Sequence, residues 1–224
     1  MPGKKRTAIS LITIIVFVSG IGVVGLPMWH ALHFRWGVEE GAQFTYDVRV
    51  VGYKMYGTGN GSYYYEPPPY ACFNNSVITV NITFLPGIPV LLTPDIYAEQ
   101  IINTDKVTVV PSSNMIENET ETEIVERYRI LSEPISRCLT PVGGWTILDS
   151  FYPNELELWI SNTYLSRLES NEFVLGHHHY FYDSGDGWYG NISLETVIPV
   201  SATLWENKMY GSPWIDYSIT LTLR

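Results

Sequence analysis

The sequence predicts an α+β fold: a curved, mostly antiparallel, half-barrel-like β-sheet with one main helix packed on its concave face, preceded by an N-terminal transmembrane helix. Three observations predict it. Residues 8–29 form an uncharged apolar run behind Lys4-Lys5-Arg6. Several later stretches alternate apolar and polar residues with the period of a half-buried strand. One stretch, from about Glu155 to Leu168, instead carries Leu156, Trp159, Ile160, Tyr164, Leu165 and Leu168 at helical spacing and is expected to be the main helix.

At 1.5 Å per residue, a helix over 8–29 matches a hydrocarbon core of roughly 30 Å. The basic flank, residues 1–7, is expected to stay cytoplasmic and to send the rest of the chain across the cell membrane. A cleaved signal peptide is the alternative, with Val18-Ser19-Gly20 before the cut, but the apolar run continues to Met28 and favours a retained signal-anchor. Residues 30–42 then form a juxtamembrane segment rich in aromatic side chains. Residues 43–224 form a single β-rich ectodomain on the extracellular side.

The formal net charge is −10, and all 23 acidic residues lie beyond Val38. Such a field repels phosphate backbones and argues against nucleic acid as a partner. In an oxidising compartment the two cysteines, Cys72 and Cys138, are expected to form a disulfide, with two free thiols as the alternative. The bridge would close a loop of about 67 residues and contribute roughly 4 kcal/mol. Asn60, Asn74, Asn81, Asn118 and Asn191 each precede x-Ser/Thr, an excess over chance that reads as a set of glycan acceptors.

Along the ectodomain, Gln43 to Tyr56 alternates as a strand, with a phase slip at Val50-Val51-Gly52 that suggests a bulge. Gly57 to Gly61 is a flexible loop, and Tyr63 to Tyr70, YYYEPPPY, a stiff polyproline-like one that a partner could read. Val77 to Phe84 is a strand with the Asn81 acceptor on its wet side. Thr93-Pro94-Asp95 starts a short helix to about Asn103, because a hydroxyl cap, a first-turn proline and an acid favour that end. Lys106 to Val110 is a strand. Glu117 to Glu126 holds five glutamates, and Ile124, Tyr128 and Ile130 are read as strand. Phe173 to Tyr182, Trp188 to Val197, Val200 to Glu206 and Ile215 to Leu223 form a closing meander, its first turn at Asp183-Ser184-Gly185-Asp186-Gly187.

Three features carry candidate chemistry. His177 and His179 share one side of a strand, a geometry that holds zinc when a third ligand joins. The glutamate cluster and the Asp183–Gly187 turn have calcium-ligand chemistry without the spacing of a calcium loop, so no cofactor is expected. Leu85, Ile88, Val90 and Leu91 of LPGIPVLL, with Trp159 and Ile160 of the expected helix, either plug the core or enclose an apolar pocket for a lipid. The sequence contains no G-x-S-x-G elbow, H-E-x-x-H, phosphate loop or dinucleotide fingerprint, so an enzyme is unsupported.

The stretches WGVEEGAQFTYDV at Trp36–Val48, GWYGNISLETVIPVSATLW at Gly187–Trp205 and YSITLTL at Tyr217–Leu223 resemble uncharacterised archaeal membrane-anchored ectodomain proteins. The resemblance implies an anchored extracellular domain and carries over no functional residue. The strand-turn-strand ending with a proline turn is similar to lipoprotein-carrier half-barrels, which implies a hydrophobic cargo. The expected function is therefore a non-enzymatic, membrane-anchored extracytoplasmic protein with a binding or envelope-structural role. The alternatives are a metal-dependent hydrolase using His177 and His179, and a subunit of a cell-surface assembly.

Overall fold

The structure is a computed structural model and describes residues 34–110, 121–154, 162–181, 183–209 and 211–224. The expected anchor at 8–29 therefore lies outside the described residues, as do Asn118, Trp159 and Ile160. Among the described residues no helix is long and apolar enough to cross a membrane.

Alternation in the sequence becomes one open, curved, antiparallel sheet. Its strands are β1 (Gln43–Gly57), β2 (Tyr63–Glu66), β3 (Val77–Ile82), β4 (Val107–Val110), β5 (Thr163–Leu168), β6 (Glu172–Phe181), β7 (Ser184–Ser193), β8 (Pro199–Lys208) and β9 (Trp214–Leu223). They lie in the order β4-β3-β1-β9-β8-β7-β6-β5, with β2 paired to the far end of β1. Tyr46, Val48 and Val50 of β1, Ile78, Val80 and Ile82 of β3, and Tyr217, Ile219 and Leu221 of β9 all face the core and are buried. The closing meander follows the expected pairing, with β6 and β7 joined from Phe181 opposite Ser184.

Among the described residues three α-helices cover the core side. Helix α1 (Pro94–Tyr97) begins as expected, with Thr93 Oγ1 accepting from the Ile96 amide at 3.3 Å, and runs into a π turn at Ala98–Ile102. Helix α2 (Glu121–Cys138) buries Leu131, Ile135 and Cys138 at helical spacing. Helix α3 (Trp145–Asp149) places Leu148 in the core and its carbonyl against Ser166 Oγ at 2.8 Å.

The end of α2 reveals how strongly the sheet curves. Ser136 Oγ accepts from the Lys106 amide, next to β4, at 2.7 Å. Two residues on, Cys138 Sγ is so close to β7 that a Cβ added at Gly190 would lie 2.5 Å from it. Five strand steps, about 24 Å along a sheet, separate β4 from β7. One helix end meets both only because the two halves of the sheet turn toward it.

Several expectations are corrected. The residues read as the C-terminal half of the main helix, Thr163–Leu168, are β5; Tyr164 and Leu168 face inward while Leu165 faces outward, so apolar residues on both faces of a strand imitate helical spacing. The stretch read as strand around Ile124, Tyr128 and Ile130 is instead α2, the longest described helix. Tyr63–Glu66 is a strand rather than a polyproline loop. No bulge interrupts β1 at Gly52: its pairing with β9 is continuous from Tyr46 to Met55, and a left-handed φ of 126° at Gly52 lets the Asp216 carbonyl approach where a Cβ would clash.

Cys72 and Cys138 do not form the expected disulfide. Cys72 is exposed and Cys138 buried, both as free thiols. Cys72 Sγ sits 3.6 Å from Arg127 of α2, and eleven residues of helix, about 16 Å, separate Arg127 from Cys138. A bridge needs Cα atoms within about 7 Å.

Candidate functional site: the outer face of the sheet

Among the described residues helices fill the inner face and none covers the sheet's other side, where the last strands build a site. Trp205 on β8, Gly187 on β7 and His178 on β6 are directly opposite one another. Tyr180 follows His178 on the same side of β6, opposite Gly185. The two glycines make a floor. A Cβ at Gly187 would lie 2.9 Å from Trp205 Nε1, and one at Gly185 would lie 2.6 Å from the Tyr180 ring and 3.1 Å from the tip of the indole. Trp205 therefore lies flat on the β7 backbone, 5.5 Å from the Tyr180 ring centre.

A trough opens on each side of the indole. The first, about 520 Å³, is lined by Trp205, Tyr180, Val51 and Met209 together with Asn207, Asp216 and Ser218. The second, about 410 Å³, is lined by Trp205, Tyr189, Leu165 and Val174 together with Asn154, Arg167 and His178. His178 is 1% exposed and its Nε2 has no hydrogen-bond partner, an orphaned polar atom at the base of this wall. Flat rings beside carboxylate, amide and hydroxyl groups suit a ligand with an apolar face and a polar edge.

The sequence-predicted site residues distribute differently. His177 and His179 do share the inner side of β6. His177 Nε2 donates to Asn162 Oδ1 at 2.8 Å, and its ring packs between Tyr164 and Trp188, where burial lowers its pKa. His179 Nδ1 meets Asp186 Oδ1 at 3.3 Å. Asp186, expected in the turn, is on β7 and pairs across to Glu206 on β8. Among the described residues, no three His, Cys, Asp or Glu side chains gather as a metal site.

The expected apolar pocket is not assembled among the described residues. Leu85 and Ile88 pack against the core, Val90 and Leu91 are exposed, and the inner face is occupied by Leu131, Ile135 and Leu148. Of the glycan acceptors, Asn60 lies in the exposed loop before β2, Asn74 beside β1, Asn81 on the polar side of β3, and Asn191 on the outer side of β7.

Trp205, Tyr180 and Tyr189 were not singled out by sequence. Their signal was present as the second phase of alternation in β6–β8, the residues between those assigned to the core. A second exposed aromatic group lies at the end of β1, where Tyr64 of β2 stacks on Tyr56, Tyr65 meets Tyr53 edge-to-face and Tyr63 packs against Trp214. No family model matches the chain, and neither a curated protein nor a solved structure matches it.

Proposed function

We propose that the chain is a membrane-anchored, extracytoplasmic, non-enzymatic binding protein, with helices held in a half-barrel cradle and a saccharide-binding face on the opposite side. The observation that carries this reading is the Trp205 indole on its glycine floor, flanked by Tyr180 and by Asn207, Asp216 and Ser218. A sugar ring presents C–H bonds to an aromatic face and hydroxyls to carboxylates and amides at its rim. The uncharged leader and the glycan acceptors support the extracytoplasmic setting. The filled inner face speaks against a lipid carried within the curve.

Saturation-transfer NMR of the full chain in detergent micelles against a panel of soluble oligosaccharides tests it. At least one saccharide is expected to receive saturation, and Trp205→Ala to weaken that ligand at least tenfold with the fold intact by circular dichroism. Equal binding by both proteins, or none by the native one, overturns the reading.

A second reading, a subunit of a surface assembly, is favoured by one observation: β2 pairs only with β1 among the described residues and exposes Tyr63 and Tyr65. Edge strands of this kind accept further strands.

A further inference from the structure

The acceptor Asn191 lies on the same outer face, one outward position beyond Tyr189 along β7. It lies on β7 opposite Val174 and Ser201, between Gly190 and Ile192, which face the core. Tyr189, two residues back on the same side and 46% exposed, is about 7 Å away. Its Cβ would be 3.0 Å from one added at Gly176, so Tyr189 stands over bare backbone with its ring open to solvent. Beyond it lies the 410 Å³ trough, walled by Leu165, Val174 and Trp205 and rimmed by Arg167.

We propose that a saccharide linked to Asn191 folds back along β7, lays its first ring on Tyr189 and fills this second trough, leaving the first trough for free ligand. The apolar walls and the aromatic ring meet the sugar's C–H face, and Arg167 meets its hydroxyls. The inference rests on the extracytoplasmic setting proposed above. In the linkage step Asn191 Nδ2 bonds the anomeric carbon of a phosphate-activated sugar donor. The donor's anomeric C–O bond breaks, phosphate leaves with the electron pair, and the amide's proton passes to that phosphate. The co-reactant is the phosphate-activated sugar, and a membrane transferase catalyses the transfer.

The test is glycopeptide mapping of the full chain expressed in a cell that glycosylates N-x-S/T, followed by timed endoglycosidase digestion of the native protein. Expected are an occupied Asn191 and release of its glycan at least tenfold slower than release from the loop acceptor Asn60. Tyr189→Ala is expected to bring the two rates together, and Tyr189→Phe, which keeps the ring, to leave them apart. Occupied Asn60 with bare Asn191, or equal native rates, overturns the inference alone. Bare amides at every acceptor overturn it together with the extracytoplasmic reading.

Discussion

Lys106 is wholly buried just before β4, and its ammonium donates to the carbonyls of Ile101, Ile102 and Thr104, which end the π turn and the loop after it. Burial, with Arg137 nearby, lowers its pKa to about 7. The unfolded chain keeps that proton to about pH 10.4, so between about pH 7 and 10 it binds more protons than the folded one, and stability rises with pH. The slope is at most about 1.4 kcal/mol per unit. Burial raises Tyr46, Tyr97, Tyr152 and Tyr217, so above about pH 10 the unfolded chain loses phenolic protons first and stability falls again. Urea midpoints are expected to climb from pH 7 to 8 in the native protein and to lack that rise in Lys106→Met, which instead falls toward pH 9 as the unfolded chain loses the thiol proton that burial holds on Cys138; a native profile flat from pH 7 to 8 counts against the buried ammonium. The cysteines give a second prediction at this scale. Maleimide should add once to the native chain, at Cys72, and twice after denaturation, and reductant should leave the unfolding midpoint unchanged. Sequence showed two cysteines and suggested a bridge; it held no trace of the helix that keeps them apart.

Among the elements, legibility followed how completely one face was buried. Strands β1, β3 and β9 each bury one side and expose the other, and their alternation was plain. Helix α2 was missed because its first turns are rich in glutamate and Thr, while its buried residues, Leu131, Ile135 and Cys138, cluster in the last two turns around Pro134. Proline there also removes an intrahelical hydrogen bond and argues locally against a helix. Strand β5 was missed for the opposite reason: inward Tyr164 packs on the core and outward Leu165 lines the second trough, so both faces carry an apolar residue. If α2 is the inner support of the sheet, Leu131→Ala should lower stability by about 2–5 kcal/mol, as for other buried leucines. Val125→Ala, at a side chain 62% exposed on the same helix, should change it by no more than about 0.5 kcal/mol. Equal effects in chemical denaturation would remove α2 from the core. The outer face was the least legible part, since an outward Trp or Tyr in a strand obeys the same period as a core residue, and only the three-dimensional row of Trp205, Gly187 and His178 shows that the second phase has a shape of its own.

For the whole molecule, the position of the two chain ends of β1 sets a polarity. The chain enters the described fold at Phe34, whose ring lies against Gly144, and Arg35 bridges to Val142 at the end where β1 begins. The fifteen residues of β1 then run about 50 Å to the opposite end, where β2 carries its tyrosines beside Trp214. With the proposed anchor ahead of Phe34, Tyr63, Tyr64 and Tyr65 would stand at the far tip, directed away from the lipid. Those rings pack on one another, Tyr56 stacked on Tyr64 at 4.8 Å and Tyr53 edge-to-face with Tyr65 at 5.5 Å, so little ordering entropy is left to lose when a second surface covers them. Two copies approaching tip to tip can pair their β2 edges antiparallel and bury these rings, while the acidic bodies stay apart. Sedimentation of the full chain in micelles at about 100 μM is expected to show a dimer in equilibrium with monomer. Tyr65→Lys, which sets a charge on the pairing surface, is expected to leave monomer alone. A native protein that stays monomeric, or a dimer indifferent to Tyr65→Lys, removes this tip as a contact surface and leaves the outer face around Trp205 as the proposed site among the described residues.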